Sequence, residues 1–265
     1  MLEDRPGAAL CAGGTDLLVR RRAGLINPES LICLERIEEL QEISFRGDTI
    51  FVGACARHAR IIEHPVLKEE FPILIKAIRV LGSPPIRNMG TIGGNICTAS
   101  PAGDALPPLY VLEAEVEIRS RNASRRMVID QFIQGPGRTA LEQGEMLHGI
   151  WLRRGENYPI HHFEKVGLRK ALAISVASLS ALVSVSKSGL VEKVRLAWGS
   201  VAPTVLLARE AEEALLGRPL SREALERAAV IVRRAASPIG DIRGTEEYRR
   251  TVAGNLLLRL LQYAN

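Results

Sequence analysis

Two pairs of adjacent glycines, each followed by short polar residues, are the part of this sequence best suited to binding chemistry. Gly13-Gly14 lies in LCAGGTDLL and Gly93-Gly94 lies in MGTIGGNIC. Glycine adopts positive φ at little cost, so consecutive backbone N–H groups can turn to one side and form a concavity that binds an anion. The side chains of Thr15, Thr91 and Asn95 can add hydrogen bonds. Two such loops facing each other would bind the diphosphate of a dinucleotide.

The same residues also allow a plainer interpretation. Glycine pairs are common in turns, and either pair alone is more often a turn than a phosphate site. The sequence contains neither GxGxxG nor GxxxxGK[ST], so it has no Rossmann fingerprint and no P-loop. Asp104, which follows Pro101 and Gly103, is either a turn residue or an acceptor for sugar-chain hydroxyls. Lys165 is either a solvated lysine at a strand end or a partner for a phosphate or a ring edge.

Metal and nucleophile chemistry find little support in the sequence. His161 and His162 are adjacent, and adjacent strand residues point to opposite faces, which makes them poor joint metal ligands. No GxSxG motif supports a serine nucleophile. The four cysteines form no CxxC and are widely separated in the sequence: Cys11, Cys33, Cys55 and Cys97. We therefore expect reduced, buried thiols, no metal site, no cluster or zinc ligands within this chain, and no catalytic residue.

The composition is that of an ordinary globular protein. Of 265 residues, 46% are hydrophobic and 25% are charged, and the net charge of +5 is compatible with an anionic ligand or an acidic partner. Only 4% of the residues are aromatic and the chain has no long Lys/Arg run, so the composition disfavours nucleic-acid binding. The densest basic stretch, Arg20–Arg22, is interpreted as a solvated face. We find no secretory signal and no apolar run of about 18 residues, and expect a cytoplasmic protein without a membrane span.

The elements that must position these residues form two halves. The first mixes short strands (AALCA, SLICLERI, TIFVGACA, YVLEAEVEIRS) with helical stretches, and its glycine pairs are expected to follow strands. In the second, AISVASLSALVSVS and VEKVRLAWGSV predict a β-hairpin with Gly189 at the turn. Helices follow: one ends at Gly217, one is capped by Ser221 and one by Thr245. The predicted class is α+β, with domains at residues 1–157 and 158–265.

In these motifs the sequence resembles the FAD-binding medium subunit of the molybdenum hydroxylases, the family of xanthine dehydrogenase and aerobic carbon monoxide dehydrogenase. AGGTDLL resembles the first flavin loop and IRNMGTIGGNICTASPAGD the second. KVGLRKALAIS, RLAWGSVAPT and SPIGDIRGTEEYRR resemble signatures of the C-terminal domain. The resemblance covers nearly the whole chain, with five motifs in the family's order.

The resemblance implies a fold and a set of cofactor contacts. The fold is a two-subdomain FAD-binding domain of the vanillyl-alcohol-oxidase/PCMH-like type, followed by a small α+β C-terminal domain with an antiparallel sheet. Within it, Asp104 is expected at the ribityl or diphosphate region, Leu147 and Lys165 toward the adenine or its flank, and Ile174 near the flavin. The implied FAD contacts are Ala12, Gly13, Gly14, Thr15, Asp16, Leu17, Leu81, Thr91, Ile92, Gly93, Gly94, Asn95, Thr98, Gly103, Asp104, Leu147, Lys165 and Ile174.

Three features depart from the family pattern. Leu81 stands where some relatives place an aromatic ring on the isoalloxazine, and Leu172 and Ala173 stand where some have acidic residues, so flavin affinity and electrostatics are expected to differ. Only MLEDRPGAAL precedes the first loop, whereas relatives begin with a strand and a helix. Our hypothesis is a truncated start that exposes apolar surface and weakens FAD retention.

The implied function is electron transfer within a complex. A large subunit would carry the molybdenum cofactor, a small subunit two [2Fe–2S] clusters, and the FAD of this subunit would pass electrons to NAD or another acceptor. The expected complex is of the xanthine dehydrogenase type, acting on a purine or another N-heterocycle. The alternatives are a carbon monoxide or nicotinate dehydrogenase-type complex, a self-sufficient FAD oxidase, and a flavin-free scaffold.

Overall fold

The computed structural model describes residues 4–5, 7–156, 158–169 and 172–264. The chain divides into two compact units, each built from several segments. Unit 1 comprises Met1–Glu70, Gly82–Ser100 and Glu113–Gly155, and unit 2 comprises Phe71–Leu81, Pro101–Leu112 and Glu156–Asn265. Two short segments of the N-terminal half therefore belong to the same unit as the C-terminal half.

The strands, in chain order, are β1 Ala8–Cys11, β2 Ser30–Cys33, β3 Ile43–Arg46, β4 Thr49–Gly53, β5 Glu115–Arg119, β6 Ser124–Val128, β7 Ile133–Gly135, β8 Arg138–Thr139, β9 Met146–Arg153, β10 Ile160–Val166, β11 Ala177–Val185, β12 Val191–Gly199 and β13 Leu206–Leu207. The α-helices are α1 Leu17–Arg22, α2 His58–Glu63, α3 Pro65–Glu70, α4 Pro72–Arg79, α5 Pro84–Met89, α6 Ile92–Thr98, α7 Leu106–Val111, α8 Ile129–Phe132, α9 Arg209–Leu215, α10 Arg222–Ala235 and α11 Glu246–Leu257. Glu38–Gln41 and Leu258–Tyr263 form 3₁₀ turns. No described helix is long and apolar enough to cross a membrane.

Unit 1 is built on a five-stranded antiparallel sheet with the order β3-β4-β9-β5-β6. Consecutive residues of the central strands β4 and β9 are buried, including the register partners Val52 and Ile150. Because neighbouring residues of a strand point to opposite faces, both faces of the sheet are covered at its centre. A separate two-stranded parallel sheet joins β1 and β2, and both strands lead into loops at the same end. The strand predicted to precede the first glycine pair is confirmed as β1.

Unit 2 is built on a four-stranded antiparallel sheet with the order β10-β11-β12-β13. The predicted hairpin is confirmed as β11 and β12, and Gly189 adopts a φ of +80° in the connection between them. Trp198 of β12 is fully buried, and its indole nitrogen donates to the carbonyl of Ala253 in α11 at 3.0 Å. Helices α4 and α7, from the two short segments, also pack on this sheet.

The predicted helix ends of unit 2 are confirmed. The Ser221 hydroxyl accepts from the N–H of Ala224 at the start of α10, and the Thr245 hydroxyl accepts from the N–H of Tyr248 at the start of α11. Gly217, just beyond α9, has a φ of +69°, which glycine adopts without strain. Each end satisfies backbone groups that the helix leaves unpaired.

The expectation that both glycine pairs follow strands is wrong for the second pair. Gly93 and Gly94 lie in the first turn of α6, with Thr91 as its N-cap, and neither is among the described residues with positive φ. Close packing explains Gly93 instead, because a Cβ there would lie 2.6 Å from the Cβ of Ala54. The apolar neighbours of the pair resembled a strand, but they form the buried face of a short helix.

Candidate functional site

The first glycine loop, residues 12–16, connects the end of β1 to the start of α1. Gly14 adopts a φ of +68°, as expected for a glycine that turns the chain. Gly13 has a different role, since a Cβ on it would lie 1.9 Å from the carbonyl oxygen of Met89. The loop therefore lies directly against the residues that lead into the second glycine segment.

The second glycine segment, residues 91–98, offers little free backbone N–H for an anion. The N–H groups of Ile92 and Gly93 donate to the carbonyls of Ala56 and Ala54 at 3.0 and 2.9 Å. The Gly94 N–H donates to the Thr91 hydroxyl at 3.1 Å, and the Asn95 N–H donates to the Thr91 carbonyl. Our expectation of a second N–H concavity does not describe this turn, because the amides are used to build the helix and fix it to the residues after β4.

What the second segment does offer is a bare surface and a free polar atom. Gly94 is exposed, and a Cβ added there would have only the Thr91 hydroxyl, at 3.0 Å, among its near neighbours in the described structure. The side-chain oxygen of Asn95 is buried without a hydrogen-bond partner in the described structure. Buried polar atoms are nearly always paired, so this oxygen is suited to a donor from a bound ligand.

The fold brings the two glycine segments together, although about 80 residues separate them in the sequence. The Thr98 hydroxyl lies 3.3 Å from a carboxylate oxygen of Asp16 and donates to the carbonyl of Gly94 at 2.9 Å. A Cβ on Gly90 would lie 3.3 Å from the Thr15 hydroxyl. The sequence-predicted segments 12–17 and 91–98 are therefore neighbours in unit 1, although Ile92 and Gly93 are themselves buried.

Sequence reasoning missed a cation beside the two glycine segments. A small pocket of unit 1 is lined by residues of both glycine segments together with others: Ala12, Gly13, Glu35, Gln41, Cys55, Arg57, Met89 and Thr91. Arg57 forms an isolated antiparallel β-bridge with Thr91 and has an exposed side chain. In the sequence Arg57 is one basic residue among several in ACARHAR, and no motif distinguishes it.

Leu147 lies elsewhere in unit 1. It belongs to β9, where it pairs with Ile118 of β5, and its side chain is buried in the sheet. The next residue, His148, stacks on Phe51 with 5.0 Å between the ring centroids and has a nitrogen 3.1 Å from Glu39. Burial lowers the pKa of His148, against the raising effect of nearby carboxylates.

Unit 2 contains a buried ion pair among the predicted residues. Lys165 of β10 lies 2.5 Å from Oδ2 of Asp104 and donates to the carbonyl of Val80 at 3.2 Å. Burial raises the pKa of Asp104 to about 6, although Lys165 acts in the opposite direction. The other carboxylate oxygen, Oδ1, is buried without a hydrogen-bond partner in the described structure. The interpretation of Lys165 as a solvated lysine is thus wrong, and its partner Asp104 keeps one acceptor atom available.

The remaining predicted residues of unit 2 lie on either side of this pair in the sequence. Gly103 and Leu81 are buried, and Leu81 follows the carbonyl that accepts from Lys165. Ile174 is 53% exposed, in the segment before β11. Lys170 and Ala171 of the predicted KVGLRKALAIS motif lie outside the described residues. No group of three or more potential metal ligands occurs in the part of the chain that the structure describes.

Comparison with known proteins agrees with the geometry. Residues 1–152 match the family model of the FAD binding domain in molybdopterin dehydrogenase, and residues 162–264 match that of the CO dehydrogenase flavoprotein C-terminal domain. The chain belongs to this family. FAD is the cofactor of its N-terminal domain.

Individual relatives span several kinds of dehydrogenase. The nicotinate dehydrogenase FAD-subunit of Eubacterium barkeri is 35% identical, over 82% of this chain and 75% of its own length. A putative xanthine dehydrogenase FAD-binding subunit of Escherichia coli is 30% identical, over 94% of this chain and 86% of its own. A chain in the crystal structure of carbon monoxide dehydrogenase from Hydrogenophaga pseudoflava superposes with a TM-score of 0.92 at 32% identity, covering 97% of this chain and 89% of that chain.

The residues present fit FAD in each unit. In unit 1, the uncovered Gly94 surface and the Asn95 oxygen suit a ligand that approaches the backbone closely. In unit 2, Oδ1 of Asp104 suits a hydroxyl donor, because a carboxylate accepts such bonds and repels phosphate. Both unpaired oxygens are acceptors, so they match the hydroxyl and N–H donors of a dinucleotide, and the uncovered Gly94 backbone allows its close approach.

Proposed function

We propose that this chain is the FAD-binding electron-transfer subunit of a molybdenum-containing hydroxylase or dehydrogenase. Family membership supports an oxidoreductase flavin subunit. The observation that carries the proposal is the joining of the two glycine segments at Gly13 and Met89, beside the uncovered backbone of Gly94. Folding does not require glycine at the exposed position 94, whereas a ligand that approaches the backbone closely does.

In this proposal each predicted residue has a defined task. Loop 12–17 and the charge of Arg57 hold the diphosphate, and residues 91–95 and 98 hold neighbouring groups through the bare Gly94 surface and the Asn95 oxygen. Asp104 accepts from a sugar-chain hydroxyl, and Lys165 keeps that carboxylate charged and oriented. Leu81, Gly103, Leu147 and Ile174 provide apolar contact. None of these residues acts as a general acid or base.

The redox chemistry belongs to the cofactor, which accepts and donates electrons when bound. This chain's residues bind and orient it. No group of three or more potential metal ligands occurs among the described residues, and in this proposal the electrons come from another subunit. We propose a large subunit with the molybdenum cofactor and a small subunit with two [2Fe–2S] clusters as partners, and NAD or another acceptor for the electrons.

Substitution of Gly94 tests the binding site directly. In Gly94→Ala, the new methyl group would cover the bare backbone while disturbing only the Thr91 hydroxyl. We expect the melting temperature of the ligand-free protein to change little and the dissociation constant for FAD, measured by fluorescence titration, to rise at least tenfold. The matched control is Gly135→Ala in β7, where a Cβ would meet only Arg138 at 4.0 Å. Equal FAD affinity in both variants and the wild type would refute the proposed site.

We propose a xanthine dehydrogenase-type complex, acting on a purine or another N-heterocycle. A xanthine-type relative at 30% identity and a nicotinate-type relative at 35% support ring substrates. The carbon monoxide-type relative supports the alternative. Isolation of the assembled complex, followed by assays with xanthine, nicotinate and carbon monoxide, distinguishes them. Substrate oxidation by this chain alone with FAD would instead favour a self-sufficient oxidase.

We also propose an organisation and a location. The FAD-binding domain would comprise residues 1–157 and the C-terminal domain residues 158–265, which the two family matches support. The proposed location is the cytoplasm, and fractionation of cells that express the tagged chain tests it.

A further inference from the structure

Three of the four cysteines lie together in unit 1, although the sequence separates them widely. Cys11 ends β1 and Cys33 ends β2, and the two are register partners in the parallel pair. Cys55, just after β4, belongs to a small apolar cluster with Leu34 and Leu40 that also packs against Leu10 and Ile32 of these strands. All three are free thiols.

The backbone geometry allows Cys11 and Cys33 to be joined. Neighbouring strands lie about 4.8 Å apart, within the range of roughly 4.4–6.8 Å for the Cα atoms of a disulfide. Both residues are the last of their strands, and they are followed by one more bond between the two segments, from the Leu34 N–H to the Cys11 carbonyl. Burial raises the pKa of the Cys11 thiol, and the nearby Cys33 thiol raises it further.

Cys11 is coupled directly to the first glycine loop. It precedes Ala12 in the chain, and its sulfur would lie 3.7 Å from a Cβ placed on Gly14. Its carbonyl accepts from the N–H of Leu34, the residue that follows Cys33, at 2.8 Å. A change at the Cys11 sulfur therefore acts on the loop between Cys11 and α1.

We propose that Cys11 and Cys33 form a peroxide-sensitive dithiol whose oxidation to a disulfide alters the first glycine loop. The Cys33 thiolate attacks hydrogen peroxide, breaking the O–O bond to give the sulfenic acid and hydroxide. The Cys11 thiol then displaces water from that sulfenic acid and forms the S–S bond. Overall, two thiols lose two electrons and two protons, and one peroxide becomes two waters.

Accessibility selects this pair among the four thiols. Cys33 is exposed, so peroxide reaches it first. Cys55 is buried, and burial raises its pKa to about 11; Cys97 in α6 is partly buried, and desolvation of its thiol raises its pKa to about 12. Reactivity follows thiolate character and access, so these two serve as internal controls.

The experiment is peroxide titration of the purified full chain, with thiols mapped by alkylation and peptide mass spectrometry. We expect a mass loss of about 2 Da and a linked pair of peptides containing Cys11 and Cys33, reversed by dithiothreitol. Cys55 and Cys97 stay alkylatable. Cys33→Ser should form no link, and Cys11→Ser should accumulate sulfenic acid at Cys33, trapped by dimedone. Absence of the linked peptides in wild type, or a link in Cys33→Ser, would overturn the proposal.

The effect on the loop rests on the proposed FAD site and has its own measurement. We expect the oxidised wild type to bind FAD at least threefold more weakly than the reduced protein, and the Cys33→Ser variant to show no difference after peroxide treatment. Equal affinities of linked and reduced protein would refute the effect on the loop. Reduced protein that binds no FAD would refute the proposed function and leave the mapped disulfide standing.

Discussion

Asp104 shows how burial sets the properties of a single residue of the candidate site. Its carboxylate is 7% exposed, pairs with Lys165 through one oxygen and leaves the other unpaired. Its pKa of about 6 lies above the value of 3.8 that applies in the unfolded chain. The native state therefore binds this proton more tightly, and the stabilisation is full below about pH 4 and is lost as the pH rises through 6.

Replacement of Asp104 should remove this pH dependence. In Asp104→Asn the side chain is neutral at every pH, so the variant does not share the loss of stability that the wild type shows as the pH rises. We therefore expect the free energy of unfolding of the variant minus that of the wild type to increase by roughly 1–3 kcal/mol between pH 4 and pH 7. Urea denaturation at a series of pH values measures this difference. Asp48→Asn, in an exposed turn, is the control and should follow the wild type. Parallel profiles of Asp104→Asn and wild type would contradict the assignment.

Arg57 is proposed to bind the ligand because of its tertiary contacts beside the glycine segments; no sequence motif indicates this role. If it faces an anionic ligand, Arg57→Ala removes a charged hydrogen bond worth about 1.5–3 kcal/mol, and FAD affinity should fall about tenfold or more. Equilibrium dialysis with FAD measures the change. Arg121→Ala, in the exposed turn between β5 and β6, is the matched control for lost net charge. A loss equal to that of the control would show that Arg57 is only a surface cation.

At the scale of elements, a buried arginine, Arg249, fixes the first turn of α11 to the sheet of unit 2. Arg249 donates to the carbonyls of Val176 and Ser200 at 2.9 and 3.1 Å, beside β11 and β12, and to Asp241 at 2.8 Å. Asp241 and Arg249 both belong to the motif SPIGDIRGTEEYRR, so these contacts give that motif a structural role. Hydrogen bonds from Arg243 and Arg249 help hold the pKa of Asp241 down at about 2.

Loss of this arginine should destabilise unit 2. Arg249→Met leaves the carbonyls of Val176 and Ser200 without this donor and removes one of the hydrogen bonds to Asp241, so we expect the free energy of unfolding to fall by about 3 kcal/mol. Arg222→Met, an exposed residue paired only with Glu226, should change it by less than about 0.5 kcal/mol. Chemical denaturation followed by tryptophan fluorescence compares the two. Similar small effects would mean that the buried contacts contribute little.

At the scale of the whole molecule, FAD should act as a stabilising ligand. A ligand that binds only the native state at 100 times its dissociation constant adds about 2.7 kcal/mol. For a chain of this size we expect the melting temperature to rise by about 5 to 10 °C. Differential scanning fluorimetry with and without FAD measures the shift, and at the same FAD concentration Gly94→Ala should show about half of it or less. No shift in excess FAD, with no flavin released on boiling, would contradict the electron-transfer proposal.

Much of the fold was predictable from local patterns. The β11–β12 hairpin, the caps Ser221 and Thr245, and the glycine after α9 follow from residue types at short spacing. The second glycine pair was misread because a helix of seven residues is too short to show its period. Arg57 and the thiol cluster were missed because their neighbours come from distant parts of the chain.

The sequence by itself determined the two glycine segments proposed to bind FAD, residues 12–17 and 91–98, and through their motifs the family. Only the tertiary structure decided which contacts those segments make. It placed Gly13 against Met89, used the amides of residues 92–95 inside the protein, and aligned Cys11 with Cys33. The reason is physical, since backbone preferences act within a few residues, whereas close approach and burial depend on parts of the chain far apart in sequence.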